Sequence, residues 1–443
     1  MCAGETQPRI IGMYTYKGGA TKTTTSINLA AVLGHHMGKR VLWVDCDMQC
    51  NGTAFFYPEL RAPDTSSQAG SQAGGDDDDD AATAMDVDDD VDDDQFRVNL
   101  DEPCELQDIA LRDESRALAP EQIDNVYKRT PTNLYELLRV AKAFTGLPCE
   151  ALAGALDKEL GKLEPRSLCQ REHKDSPIIC VPGSAAIVKF EAEAGTLSSM
   201  EAKALYAGLL RMLVHAACRK FDCEIAILDF GPSAGNLNQL WLANCTHILP
   251  CCQPDLFNTV SMDGLLTSVL PQLLERRTEL LRIQKESADT FKPVQSPWGQ
   301  LVRDCRLPPS PPRLFFSVIS CFGRNGGKIT KAHGDWLLTM RKYFEAANIP
   351  SRVRDLYVPA PGNMGMCVPL VPYAHSACPY SATVAVPITM LGPLPSDPPG
   401  HKVRFWDRAH EQRRQPPKTA RLQAKEAAQR FRALATFILT QAN

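Results

Sequence analysis

The stretch Arg9-Ile-Ile-Gly-Met-Tyr-Thr-Tyr-Lys17-Gly-Gly-Ala-Thr-Lys22-Thr-Thr24 decides the fold. Its apolar run from Ile10 to Thr15 is typical of a buried strand, and the amphipathic segment from Thr23 to Gly38 predicts a helix. A glycine-rich turn at a helix N-terminus can surround phosphate with backbone N–H groups, while a lysine neutralises charge and a hydroxyl binds Mg²⁺. The stretch therefore predicts a phosphate-binding loop. Its candidate phosphate contacts are Gly18, Gly19, Ala20, Thr21, Lys22 and Thr23.

Two later apolar runs end in carboxylates. Val41–Asp45 is followed by Asp47, and a second run from Ile225 to Leu228 ends at Asp229. Carboxylates at the carboxyl ends of strands beside a phosphate loop can position Mg²⁺ and an attacking water. The order strand, loop, helix, strand predicts an α/β fold of the P-loop NTPase type: a mostly parallel, doubly wound sheet flanked by helices.

These motifs, in this order, resemble the ParA/MinD family of deviant Walker A ATPases, whose loop pattern is Lys-Gly-Gly-x-x-Lys-Thr-Thr/Ser. The segment Val41–Asn51 is similar to the family's Val-Leu-Leu-Val-Asp-x-Asp-Pro-Gln-Gly-Asn, and Asp229 with Pro232 fits its Asp-x-x-Pro. Met48 and Cys50 stand where the family usually has proline and glycine, and Thr21 replaces the glycine that usually precedes the lysine of a phosphate loop. These departures leave open a different turn geometry.

The resemblance implies a role for each matching residue. Lys17 would reach across a dimer interface to the partner's phosphates, Lys22 would bind the phosphates of its own subunit, and Asp47 would promote hydrolysis. These three are the candidate catalytic residues. The resemblance further implies Thr23, Asp45 and Asp229 at a magnesium site, Thr24 on a phosphate, and Pro350 and Arg352 near the base.

The family also implies a function. The chain is expected to bind Mg-ATP, to form a homodimer when ATP-bound, and to hydrolyse ATP slowly. The implied outcome is partitioning or positioning of DNA or other cargo, with an activating adaptor protein and non-specific DNA as possible partners. The alternatives are a MinD-like membrane-cycling ATPase, a nucleotide sensor with little turnover, and a metabolic relative such as an iron–sulfur reductase component.

The length of 443 residues allows one large domain with insertions or two to three smaller ones, and the resemblance implies a single ATPase domain over residues 1–443. The 44% hydrophobic content and 23% charge are typical of a soluble globular protein. Without a stretch of eighteen apolar residues, a transmembrane helix is not expected, a membrane partner is less favoured, and the predicted location is cytoplasmic. Three insertions are predicted, followed by a closing helix at 420–441. They are an acidic disordered segment at 58–125 and Pro-bearing segments at 285–312 and 380–418.

Charge is unevenly distributed along the chain. Twelve aspartates crowd between Asp76 and Asp94, and setting them aside turns the formal net charge of −4 into +8. The last 43 residues hold ten Lys/Arg against three Asp/Glu, which permits phosphate-directed DNA binding or a membrane-surface helix. We favour a core role for the apolar stripe of the last helix, and keep Arg404, Arg408, Arg413 and Arg414 as candidates for DNA contact.

The sixteen cysteines are scattered and form no Cys-x-x-Cys pair. Several lie in or beside apolar runs, as Cys46 and Cys180 do. This pattern favours reduced, buried thiols over a metal or cluster site.

Overall fold

The computed structural model describes the chain in segments, all within the unit formed by Met1–Pro58 and Arg129–Asn443. The described residues are 7–19, 21–57, 130, 132–142, 150–166, 168, 177–196, 200–286, 305–325, 328–345, 349–360, 367–372, 381, 386–391, 405–407, 412–416 and 418–441. The predicted insertion at 58–125 lies outside them, as do most residues of the other two predicted insertions.

Within these segments, nine strands form the main sheet, and every pairing in it is parallel. The order is β10-β6-β5-β1-β4-β2-β3, with β7 paired to β5 and β11 to β7. The strands are β1 Arg9–Tyr14, β2 Val41–Cys46, β3 Ile178–Val181, β4 Ile225–Phe230, β5 His247–Cys252, β6 Arg313–Phe315, β7 Ser317–Phe322, β10 Tyr357–Val358 and β11 Cys367–Pro372. Two small antiparallel hairpins pair β8 Arg324–Asn325 with β9 Lys328–Ile329, and β12 Phe405–Asp407 with β13 Gln412–Arg414.

Helices flank this sheet. They are α1 Lys22–Ala31, α2 Thr53–Phe56, α3 Leu134–Lys142, α4 Glu150–Leu160, α5 Ile187–Thr196, α6 Met200–Phe221, α7 Asn236–Leu242, α8 Leu256–Gly264, α9 Leu270–Glu286, α10 Lys331–Glu345, α11 Ser351–Arg354 and α12 Lys418–Thr440. Strands β2, β3, β4 and β5 are buried along their whole length. Because neighbouring side chains on a strand point to opposite faces, this burial requires helices on both faces. The predicted fold class is confirmed.

The strand order brings the motifs together. Strand β1 lies between β4 and β5, and β2 lies beside β4. The carboxyl ends of parallel strands share one edge, so the phosphate loop after β1 meets the acidic ends of β2 and β4. Asp45 and Asp229 are direct cross-strand partners in this register.

Helix α12 occupies the place of the predicted closing helix. Phe431, Leu434 and Ile438 are buried, and the helix packs against β11, the 388–390 turn and the end of the α1 region. Its apolar stripe therefore belongs to the core, as the sequence predicts.

The described end of the predicted 285–312 insertion is packed on the body of the protein. The Arg277 guanidinium donates to the carbonyls of Pro308 and Ser310, and Cys305 is fully buried. At Gly208 in α6, a Cβ atom would lie 2.0 Å from the Cys305 carbonyl oxygen. Helix α6 therefore needs glycine at this position to accept the Cys305 backbone.

We predict that Gly208→Ala lowers the free energy of unfolding by about 1–3 kcal/mol, since the new methyl group meets backbone atoms. Gly154→Ala in α4 is the matched control, because nothing lies within 4 Å of its Cβ position. It should be neutral or stabilising by roughly 0.5–1 kcal/mol. Chemical denaturation measures both variants, and equal effects would contradict the close approach of Cys305.

Candidate nucleotide-binding site

A cavity of about 480 Å³ opens at the carboxyl edge of the sheet, beside the phosphate loop. This volume is within the range of small-molecule sites. The lining residues are Gly18, Gly19, Thr21, Lys22, Thr23, Thr24, Ile27, Asn28, Asp47, Gln49, Asn51, Phe55, Pro232, Ser381 and Ile388. Most of the predicted loop residues are thus gathered around one cavity; Ala20 lies outside the described residues.

The phosphate loop and the loop after β2 share an unusual backbone feature. Thr21 has φ 61° and Cys50 has φ 51°, both in the left-handed region that glycine adopts readily. At Cys50 the resembling family usually carries glycine, and at Thr21 an ordinary phosphate loop does. Both residues keep a glycine-type conformation here, at a cost of about 1–2 kcal/mol each.

Lys22 is buried at the start of α1, with 6% of its surface exposed. Its Nζ donates a hydrogen bond of 3.1 Å to the Lys17 carbonyl oxygen. Burial lowers the pKa of Lys22, while the carboxylates of Asp229 and Asp47 oppose that shift. A desolvated ammonium group beside a free cavity attracts an anion strongly, because little water screens it.

Asp229 is fully enclosed at the end of β4. Neither of its carboxylate oxygens accepts a hydrogen bond of normal geometry within the described chain. Burial and the nearby Asp45 carboxylate raise its pKa well above the usual value, partly offset by the Thr23 hydroxyl and the Lys22 ammonium. A buried carboxylate without hydrogen-bond partners is costly unless a cation or proton accompanies it.

These groups fit Mg²⁺ only together with phosphate. The described residues contain no cluster of three or more His, Cys, Asp or Glu that could hold a metal alone. Magnesium in nucleotide sites uses one or two protein groups, phosphate oxygens and waters. Asp229 with the Thr23 hydroxyl matches that donor set.

The Asp45 carboxylate accepts hydrogen bonds from the loop that follows β2. Its Oδ2 accepts hydrogen bonds from the Thr53 amide at 2.8 Å and the Thr53 hydroxyl at 2.7 Å. Its Oδ1 accepts one from the Asp47 amide at 3.2 Å. Burial raises the pKa of Asp45 to about 7, against the hydrogen bonds from Thr53. Both carboxylate oxygens of Asp45 thus accept hydrogen bonds from protein groups, and its assignment to the magnesium site stays a prediction.

Asp47 lines the cavity from the loop after β2. Its Oδ1 accepts a hydrogen bond of 3.0 Å from the Gln49 amide, and only 7% of the residue is exposed. Gly231 lies close behind, where a Cβ would come within 2.9 Å of the same oxygen. The carboxylate is therefore held in a defined place facing the cavity.

Lys17 is not among the residues that line this cavity. Its Nζ lies 3.4 Å from Asp255 Oδ2 and 5.1 Å from the centre of the Phe257 ring. Asp255 also caps α8, where its Oδ1 accepts from the Asn258 amide. A partly exposed ion pair of this kind contributes only about 0–1 kcal/mol, so Lys17 can exchange it for another anion at small cost.

Pro350 and Arg352 do not reach the cavity. They lie at α11, which precedes β10, and Arg352 pairs with Glu275 at 2.7 Å. Strand β10 runs parallel to β6, so residues before it lie at the amino edge of the sheet, away from the phosphate loop. By contrast, Pro359 follows β10 directly and therefore lies at the carboxyl edge of the sheet, the edge where the phosphate loop lies. The prediction for Pro350 and Arg352 is corrected for this topological reason.

Several cavity residues escaped the sequence analysis. Asn28 donates to the Thr24 carbonyl and accepts from the Thr389 amide, which fixes the 386–391 segment on α1. Ser381 and Ile388 come from the predicted 380–418 insertion, for which the sequence offered no signal. Outside the cavity lining, Gln253 donates a hydrogen bond of 2.9 Å to the Gly19 carbonyl, which joins the end of β5 to the phosphate loop.

A parallel sheet with this loop between its first strand and first helix defines the P-loop NTPase fold. The family described as AAA domain matches residues 8–85. The sporulation initiation inhibitor protein Soj of Bacillus subtilis is 54% identical over 46 residues, which is 10% of this chain and 18% of Soj. The chromosome-partitioning ATPase Soj of Thermus thermophilus is 56% identical over 46 residues, with the same coverage. These matches confirm the resemblance to the ParA/MinD family.

The similarity beyond that segment is low. The solved structure of pNOB8 ParA bound to nonspecific DNA has a TM-score of 0.44 and 14% identity, covering 98% of this chain and 97% of that one. The fold assignment therefore rests on the chain's own sheet topology. Since the matched segment spans 18% of the length of the curated relatives, activity and partners are matters for proposal.

The described residues bear on the predictions of a membrane partner and of a DNA partner. In the segments that the structure covers, every helix is too short or too polar to cross a membrane. Of the basic candidates for DNA contact, Arg413 and Arg414 lie on β13, whereas Arg404 and Arg408 lie outside the described residues.

We predict that Thr21→Gly raises the free energy of unfolding by about 0.5–1 kcal/mol. The relief of left-handed strain exceeds the entropic cost of glycine. Thr21→Ala is the control, because it removes the hydroxyl and keeps the Cβ that causes the strain. Thermal and chemical denaturation compare the two variants, and a gain in neither would mean that Thr21 is not strained.

Proposed function

We propose that this chain is a ParA-like ATPase. It binds Mg-ATP, dimerises across two nucleotides and hydrolyses ATP slowly to position DNA or another cargo. One observation carries the proposal: Lys22 and Asp47 line the same cavity, and the buried Asp229 carboxylate lies near enough to the Lys22 ammonium to oppose the lowering of its pKa. A cation for phosphate, a carboxylate for metal and a carboxylate for water are the parts that phosphoryl transfer requires.

Binding would rest on the loop and the helix behind it. The backbone N–H groups of Gly18 and Gly19 and the N-terminus of α1 favour an anion. Lys22 would leave the Lys17 carbonyl for the phosphates and add a full charge. This electrostatic arrangement is preorganised, so little reorganisation is needed when charge develops on the γ-phosphate.

Thr23 and Asp229 would hold Mg²⁺ together with phosphate oxygens. The ion supplies charge neutralisation on the transferring phosphoryl group. Asp47 would orient the attacking water, since its carboxylate lines the cavity and is fixed by the Gln49 amide. Catalysis would thus be mainly positional and electrostatic.

The proposed dimer rests on the surface around Lys17. Leu256, Phe257 and Val260 of α8 are exposed, with Phe257 68% exposed, beside the Lys17–Asp255 pair. Exposed apolar side chains grouped beside a weakly held cation favour a protein interface. A second copy would cover this apolar face while its phosphates attract Lys17.

Non-specific DNA is the favoured matrix. The packing of the α12 stripe against the core favours DNA over a membrane surface, and the ten Lys/Arg of the last 43 residues supply positive charge. Phosphate-directed contacts would make the binding strongly salt-dependent. An adaptor protein that stimulates hydrolysis completes the proposed cycle.

Turnover of ATP tests the proposal. We predict slow, Mg²⁺-dependent hydrolysis in the wild type, a loss of nucleotide affinity of at least about 10-fold in Lys22→Ala, and a fall in kcat of roughly 10²-fold in Asp47→Ala with binding retained.

Duplex DNA binding should require ATP, persist in Asp47→Ala and weaken with salt. Unchanged turnover in both variants would refute the site, and turnover without DNA binding would favour the membrane or metabolic alternatives.

A second prediction concerns the dimer. In an Asp47→Ala background with ATP, Phe257→Asp should yield monomers where the parent forms dimers, because a buried charge opposes association. Light scattering after size-exclusion chromatography measures the mass. Leu422→Asp on α12 is the matched control, since Leu422 is similarly exposed but lies on another element. Dimers that persist in Phe257→Asp would place the interface elsewhere.

A further inference from the structure

The loop that presents Asp47 to the cavity is anchored by one buried carboxylate. Asp45 accepts hydrogen bonds at both ends of this loop, from the Asp47 amide at 3.2 Å and from the Thr53 amide at 2.8 Å. The Thr53 hydroxyl adds a third bond to Asp45 at 2.7 Å. The chain between Asp47 and Thr53 is thus closed into a ring on one side chain.

A second strand joins this anchor. The Thr53 hydroxyl accepts a hydrogen bond of 2.7 Å from the Gly183 amide, just after β3. Gly183 packs so closely on Asp45 that a Cβ would lie 2.9 Å from its carboxyl carbon. Asp45 and Thr53 are both fully buried. The hydroxyl therefore links the ends of β2 and β3 through a chain of bonds that water does not reach.

The loop between Asp47 and Thr53 contains a residue in the left-handed backbone conformation, which residues other than glycine rarely adopt. Cys50 has φ 51°, and its amide donates to the Asp47 carbonyl at 3.0 Å. A backbone held in a sparsely populated region persists only where its surroundings determine it. The hydrogen bonds of Asp45 and Thr53 hold the backbone of this loop in that conformation. They thereby also fix the position of Asp47.

We propose that Asp45 and Thr53 are positioning residues for hydrolysis, which together hold Asp47 in its place against the cavity. The inference deepens the proposed ATPase function and rests on it. Neither residue lines the cavity, so neither is expected to contact nucleotide. Loss of their hydrogen bonds should therefore slow the chemical step and leave nucleotide binding nearly unchanged, since small displacements of a reacting group cost far more in rate than in binding.

The matched pair Thr53→Val and Thr53→Ser tests this proposal on the full chain. Valine has almost the shape of threonine but neither donates to Asp45 nor accepts from Gly183, whereas serine keeps the hydroxyl. We expect Thr53→Val to lower kcat by about 10-fold or more, with the ATP dissociation constant within about threefold of the wild type. Thr53→Ser should restore turnover. In the Asp47→Ala background, Thr53→Val should cause no further loss.

Each result has a distinct meaning. Wild-type turnover with an unchanged kcat in Thr53→Val would overturn the positioning role, and so would equal losses in the valine and serine variants. Absence of turnover in the wild type would refute the proposed function itself. If Thr53→Val does not fold, Asp45→Asn takes its place, because its amide keeps the shape but cannot accept all three bonds. A lower kcat with a nearly unchanged ATP dissociation constant in Asp45→Asn would then support the positioning role, and an unchanged kcat would overturn it.

Discussion

Charge buried at the carboxyl edge of the sheet is the constraint on which the structure depends. Lys22, Asp45, Asp47 and Asp229 are all nearly inaccessible to solvent, although an isolated buried charge is costly. Asp45, Lys22 and Asp229 differ in the groups that compensate their buried charges. Asp45 is satisfied by hydrogen bonds from the protein, Lys22 by a carbonyl and nearby carboxylates, and Asp229 by no hydrogen bond of normal geometry from the described residues. In the proposed function, a cation and a polyanion would enter together and complete the arrangement, as in Mg-nucleotide binding.

The same edge explains the unusual backbone at Thr21 and Cys50. Both residues lie in loops that follow strands and bend sharply to bring functional groups back over the strand ends. Strain of this kind is maintained by the surroundings at functional sites. In the β2 loop the surroundings are visible as the bonds of Asp45 and Thr53. The fold therefore stabilises a rare backbone conformation in the two loops that face the proposed phosphates.

Much of this could be predicted from the sequence, because strands, loop and helix follow one another locally. The apolar runs ending at Asp45 and Asp229 gave β2 and β4, and the parallel order then required their ends to meet at one edge. The hydrogen bonds that hold Asp45 at the base of the β2 loop could not be predicted, since partners such as Thr53 and Gly183 depend on tertiary packing. Pro350 and Arg352 were misplaced because local similarity does not tell which end of a strand a segment adjoins. Ser381 and Ile388 arrive from a segment without periodic signal.

The most direct test of the account is calorimetric titration of ATP into wild type and Asp229→Asn, with and without Mg²⁺. The account predicts that Mg²⁺ tightens ATP binding to the wild type by at least about 10-fold, and that this gain disappears in Asp229→Asn while some binding through Lys22 remains. Equal affinity with and without Mg²⁺ in the wild type, or an undiminished gain in Asp229→Asn, would contradict the claim that these buried charges form a Mg-nucleotide site.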